Sequence, residues 1–327
     1  MISKDSLVGP VSDRPLAASN SGPVADRPYL GLRDCRVGAN PIIWSNDDFY
    51  ELAGDLPLDV ILSDMREAGF AGSELGHAYP RTPDALGAAL RRHQLRLVSG
   101  WHSTYLAERD YAPEEESFKA HLALLKALGA SVVIVAECTR AIHGAREAGL
   151  GFGDDDRPRL AEAEWPHVFA GLTKFAALCA AEGLKLVYHH HMGTVIQSEA
   201  ELDRLLAGVP GMHLLLDPGH LAFAGIDAHA IMRKHGARVA HVHLKSVRPA
   251  IVERVRGERW SFCRAVTEGV FTIPGDGLVD FPRLFAELAQ HDYRGWLVVE
   301  AEEDPTKAPP LEKARRARAF VREHAGV

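Results

Sequence analysis

The chain reads as a closed (β/α)8 (TIM) barrel, and three observations carry that reading. Eight short apolar runs alternate with longer segments of helical period, the pattern of βαβ units around a parallel sheet. Helical segments end in glycine directly before the next apolar run: Gly69 precedes Phe70, Gly129 precedes Ala130 and Gly183 precedes Leu184. The first apolar run leads into Asn40-Pro41-Ile42-Ile43-Trp44-Ser45-Asn46-Asp47-Asp48, without the Gly-rich phosphate loop an open doubly wound sheet would usually place there.

The strands are expected at 36–41, 72–76, 95–101, 131–137, 184–189, 212–217, 239–245 and 296–300. Helices are expected at 58–68, 84–93, 114–128, 166–182, 198–207, 228–235, 281–290 and 310–323. Residues 1–33, rich in Ser, Pro, Ala and Asp without hydrophobic period, read as a disordered or loosely attached extension. Residues 34–327 then form one catalytic barrel domain, since such barrels occupy ~250 residues as a unit. The segment 247–270 carries Arg248, Arg254, Arg256 and Arg264 and is too long for a plain connection, so it is expected as a lid or a subunit contact. The oligomeric state stays open, a homo-oligomer included.

Charge and composition exclude several partners. A formal charge of −7 argues against nucleic acid, whose phosphates call for a basic surface. No apolar run reaches the ~20 residues of a membrane span. Four cysteines stand far apart with no CxxC pair, which points to reduced thiols in a cytoplasmic protein and against a structural zinc site. A small molecule is the partner left.

In a parallel barrel the C-terminal strand ends and the loops after them build the site, while strand interiors are packed with aliphatic residues. Successive strand ends present Trp44, Asn46 and Asp47, then Glu74, His102, Glu137, His189 to His191, Asp217 with His220, His243 with Lys245, and Glu300. Strand alternation sets His189 and His191 on one face with His190 opposed, and His241 with His243. Asp217 after three leucines is either a helix cap or a ligand, and Glu300 after Trp-Leu-Val-Val would be costly to bury unpaired. Glu302 and Glu303 read as a solvated loop. Two imidazoles and two carboxylates suit a divalent ion such as Mn²⁺ or Co²⁺, with Zn²⁺ and Fe²⁺ open. Such an ion polarises a carbonyl and steadies the charge left when a neighbouring proton is lost.

Several segments carry a family resemblance. Gly38 to Asp48, Glu67 to Gly76, Tyr188-His-His-His-Met-Gly-Thr194, Leu216-Asp-Pro-Gly-His220, His243-Leu-Lys245, Phe271 to Gly277 and Val299 to Asp304 occur in the order seen in inosose dehydratases. The chain from about residue 36 onward resembles that family, which belongs to the xylose-isomerase-like barrels of sugar isomerases and epimerases. The resemblance implies metal ligands Asp217, His243 and Glu300, with His189 standing where the wider group has its first glutamate. It implies dehydration of 2-keto-myo-inositol in inositol catabolism, a hydro-lyase reaction on a polyol ketone. Glu300, His220 and Lys245 are then the proton-handling candidates. Trp44, Asn46, Asp47, Glu74, His102, Glu137 and His191 are the expected substrate walls. Ser246 departs from the aspartate that relatives often carry after the lysine. The alternative is a metal-dependent isomerase or epimerase of a keto sugar or inosose, which the missing glutamate disfavours.

Overall fold

The computed structural model describes residues 32–49, 52, 56–153, 156–307 and 309–327. The expected extension lies outside the described residues but for Leu32 and Arg33, and Leu32 is buried in the main core.

Eight strands close a wholly parallel barrel: β1 (Arg36–Ala39), β2 (Gly72–Leu75), β3 (Arg96–Thr104), β4 (Val132–Glu137), β5 (Lys185–His189), β6 (His213–Leu216), β7 (Val239–Leu244) and β10 (Trp296–Val299). Each strand pairs with its neighbour in sequence, and β10 lies between β7 and β1 to complete the ring. The outer layer holds α1 (Leu58–Glu67), α2 (Pro83–Arg92), α3 (Tyr111–Ala127), α4 (Trp165–Ala181), α5 (Glu199–Gly208), α7 (Ala228–His235), α10 (Phe281–Gln290) and α11 (Pro310–Ala325). Gly69, Gly129 and Gly183 end α1, α3 and α4 at φ of 89°, 76° and 77°. A Cβ is strained in that left-handed conformation, which is why glycine marks those helix ends in the sequence.

Alternation divides the aliphatic residues between two sides. Val133 and Val135 of β4, with Leu186 and Tyr188 of β5, pack outward in the main core. Val132 and Ile134, with Val187 and Leu215, form a small cluster of their own inside the barrel. The inward parity of β5 and β6 therefore ends on His189 and on Asp217, at the rim where the site is built.

The segment after β7 folds as a cap. The antiparallel ribbon of β8 (Ser246–Val247) and β9 (Phe271–Thr272) frames α8 (Pro249–Glu258) and α9 (Phe262–Thr267). Val252, Val255, Phe262, Val266 and Phe271 join Met192 and Phe223 in a separate buried cluster. Phe223 belongs to a short helix that the sequence reading missed, α6 (Pro218–Ala224). Ser246 accepts a hydrogen bond from the Val279 amide at 3.1 Å, so its hydroxyl serves the cap's closure.

Candidate metal centre and cavity

His189, Asp217, His243 and Glu300 each bring one ligand atom into a buried group whose atoms lie within 4.8 Å of one another. His189 Nε2 and His243 Nδ1 each stand 3.5 Å from Asp217 Oδ2, and His243 Nδ1 is 2.5 Å from Glu300 Oε2. Both imidazoles are locked in one orientation. His189 Nδ1 donates to the His190 carbonyl at 2.7 Å, which leaves the Nε2 lone pair facing the carboxylates. His243 Nε2 donates to Glu74 at 3.2 Å, which does the same for Nδ1.

Asp217 has two jobs. Its Oδ1 accepts from the His220 amide at 2.9 Å and caps α6, while Oδ2 is buried with no hydrogen-bond partner of adequate geometry. His243 Nδ1, for all its closeness to Glu300 Oε2, likewise has no partner of hydrogen-bond geometry. Buried polar atoms are normally satisfied, so two orphans converging on one point fit a divalent ion. A second group, Glu74 with His241 and His243, is already joined by hydrogen bonds of 2.7 and 3.2 Å. A third, His191, His220 and Glu302, surrounds an ammonium instead.

That ammonium is Lys245, fully buried. Its Nζ donates to Glu302 Oε2 at 2.9 Å, pairs with Glu300 Oε1, stands 3.0 Å from His220 Nε2 and lies 4.6 Å above the Phe271 ring. The stem passes so close to α6 that a Cβ on Gly219 would meet its Cγ at 2.6 Å. Burial opposes charge on Lys245, yet Glu300, Glu302 and Asp217 hold its pKa above the ordinary lysine value. Burial pushes Glu302 up to about 8, against the pull of Lys245. His191 and His220 are held well below the usual histidine value by burial.

A cavity of about 290 Å³ opens onto the cluster. His189, His243, Glu300, Glu302 and Glu74 form its floor, and Trp101, Ile134 and Ile42 supply apolar wall. Its mouth carries two carboxylate–imidazole pairs: Asp47 with His77 at 2.6 Å, and Asp48 with His143 at 3.9 Å. His191 lines it too, packed edge-on to Trp101 with centroids 5.6 Å apart.

Four expected wall residues lie elsewhere. Trp44 is fully buried away from the cavity, its indole donating to Asp64 at 2.9 Å. Asn46 accepts from the Asp48 and Phe49 amides at 2.8 Å, which shapes the β1 loop. His102 turns outward onto Phe118 and His121 of α3, centroids 5.4 Å away. Glu137 shares the outward parity of Val133 and Val135 and accepts from Thr104 at 2.7 Å and the Leu106 amide at 3.0 Å. His220 and Lys245 stand one layer behind the cavity wall, so they reach a bound molecule only through Glu300, Glu302 or His191. Glu302 and Glu303 are no solvated loop: both are buried, and Glu303 pairs with Arg248 at 2.9 Å. The sequence reading passed over Asn40, Asp48, Arg81, Ser103 and His143, which also line the cavity. Trp101 and Ser103 face inward only because an irregularity in β3 shifts its alternation, and nothing in the sequence around His143 marks that residue.

Comparison with known proteins follows the same lines. The xylose isomerase-like TIM barrel family matches residues 62–324. An inosose dehydratase of Geobacillus thermodenitrificans is 42% identical over 294 residues, covering 89% of this chain and 98% of that protein. This chain belongs to the inosose dehydratase family. The rhizopine catabolism protein MocC of Rhizobium meliloti is also similar to this family member, 46% identical over 286 residues, or 87% of this chain and 86% of that protein. Among solved structures, the IOLI protein with a bound zinc atom shares the fold at a TM-score of 0.60 and 15% identity, over 89% of this chain and 98% of that one. Among the described residues of this inosose dehydratase family member, no helix is long and apolar enough to cross a membrane.

Proposed function

We propose that the chain is a hydro-lyase that removes water from 2-keto-myo-inositol, with one divalent ion, Mn²⁺ or Co²⁺, held by His189, Asp217, His243 and Glu300. The observation that carries the proposal is the pair of orphaned buried atoms, Asp217 Oδ2 and His243 Nδ1, at the floor of a polar cavity. A divalent ion there supplies Lewis acidity toward a carbonyl oxygen and so acidifies the adjacent C–H. Asp47 with His77, and Asp48 with His143, offer paired acceptors and donors to ring hydroxyls, while the Trp101 face covers ring C–H groups. Elimination breaks a C–H bond beside the carbonyl and the C–O bond one carbon further on, forming a C=C bond. The proton goes to a base, and the hydroxyl leaves with a proton from an acid. Glu300, Glu302 and His191 are the cavity-facing groups that handle these protons, and His220 with Lys245 connects them from behind. Four free cysteines, all buried, support a reducing cytoplasm.

Epimerisation is disfavoured because β5 presents imidazole, His189, at the place where the resembling isomerase group carries a glutamate. The deciding experiment is an ultraviolet assay of metal-stripped protein with 2-keto-myo-inositol, adding Mn²⁺ or Co²⁺ back. A metal-dependent rise in dione absorbance is expected. No rise with the ion demonstrably bound would overturn the assignment in favour of keto-sugar epimerisation.

A further inference from the structure

Glu74 lies on the cavity floor, where a carboxylate would ordinarily be taken as a hydroxyl-binding wall. Its oxygens are already committed. Oε1 accepts from Ser99 Oγ at 2.5 Å, from His241 Nε2 at 2.7 Å and from His243 Nε2 at 3.2 Å. Oε2 accepts from Asn40 Nδ2 at 2.7 Å, and the same amide reaches Glu300 Oε2 at 3.4 Å. The side chain is 2% exposed and held by donors from three other strands or strand ends, those of β1, β3 and β7. A carboxylate with four donors has little capacity left for a substrate hydroxyl.

We infer that Glu74 is a positioning residue for the metal centre: it fixes the ligating orientation of His243 and, through Asn40, braces Glu300. The inference rests on the proposed ion site. The chemistry is that of a carboxylate behind a histidine ligand. The outer carboxylate takes the imidazole N–H, so the opposite nitrogen keeps its lone pair toward the ion and becomes a better donor. His189 has only the His190 carbonyl in that role. His243 is thus the more strongly braced of the two imidazoles, by a residue about 170 positions earlier in the chain, the His243–Glu74 separation being 169. Ser99 and His241 keep the Glu74 carboxylate in place.

The test is a titration of metal-free protein with Mn²⁺, reading free ion by electron paramagnetic resonance, for the wild type, Glu74→Gln and Ser99→Ala. Glu74→Gln keeps the shape of the side chain but loses the charge and one acceptor. Its Mn²⁺ dissociation constant is expected to rise by about 10–100-fold, with KM at saturating Mn²⁺ changed less than about threefold, the margin left for a second-sphere change. Ser99→Ala, which loosens Glu74 without touching the ligands, is expected to weaken Mn²⁺ several-fold and decides the matter should Glu74→Gln not fold. An unchanged Mn²⁺ constant with a raised KM would make Glu74 a substrate wall and overturn the inference. Unchanged Mn²⁺ binding and KM with a lowered melting temperature would reduce it to a structural residue, overturning it equally. Failure of the wild type to bind Mn²⁺ at all would instead overturn the metal site on which the inference rests.

Discussion

Two pairs of histidines on opposite sides of the barrel wall, one pair buried and one half-buried, behave in opposite ways. His189 and His243 point inward, each with one nitrogen tied to a fixed acceptor and the other turned toward carboxylates. His102 and His121 meet outside the barrel, between β3 and α3, against Phe118 and the Gly100 carbonyl, with no carboxylate among their contacts. Burial lowers the pKa of each outer histidine to about 4. The contrast shows that partners and strand parity decide whether an imidazole faces carboxylates; without a charged partner, desolvation makes it a neutral packing element.

The sharpest way to break the comparison is Asp217→Asn. Asparagine still caps α6 through its Oδ1, so the melting temperature should hold within a few degrees. Ion binding should be lost, and turnover should fall on the order of 10³-fold as several kcal/mol of charge stabilisation disappear. Equal turnover in the variant would remove Asp217 from the ion site. Lys245→Ala comes next: it leaves Glu300 and Glu302 without their shared cation, and urea unfolding should show about 3–5 kcal/mol lost. Should stability be untouched, the two carboxyls would not depend on that ammonium.

The outer pair predicts acid lability with a definite sign. Folded His102 and His121 resist protonation down to about 4, whereas the unfolded chain takes up protons near 6.5. Their contribution is therefore complete above pH 6.5 and is lost as pH falls from 6.5 toward 4. His102→Phe should flatten the fall in unfolding free energy, read from urea titrations across that window, by about 2 kcal/mol, leaving Mn²⁺ binding unchanged. An unaltered slope would mean that His102 is hydrated and free to charge. The smallest effect belongs to Trp44→Phe, which removes the bond to Asp64 and should cost about 1 kcal/mol of stability. A raised KM there would return Trp44 to the cavity wall.

The barrel was largely legible because its signals are periodic and local. Each of the eight expected strands overlaps an observed one, and Gly69, Gly129 and Gly183 mark real helix ends. The inward residues of β5, β6, β7 and β10 were legible for a related reason: alternation over the last residues of each strand leads to His189, Asp217, His243 and Glu300, the irregularity in β7 falling before His241. His102 was misread because β3 is irregular. Between the pairs Ser73↔Leu97 and Leu75↔Gly100, β3 spends three residues against two of β2, which shifts its parity. Ser99 consequently reaches Glu74 inside, while Gly100 and His102 face α3. The short α6 was missed because it follows β6 with no intervening loop, and α8 and α9 because their apolar faces meet a local cluster apart from the main core. His143 reaches the cavity by tertiary folding of the loop after β4, which no pattern in the chain announces.

The close passage of Lys245 over Gly219 also constrains how this protein can change. Any side chain at 219 would strike the lysine stem, so Gly219→Ala should be harmful while Lys245 is present and far milder once it has been shortened. Positions 219 and 245 are therefore epistatically bound. Mutational routes that alter the lysine must pass through an unpaired Glu300 and Glu302, and routes that alter the glycine first must displace the lysine, so neither end of the motif can drift alone.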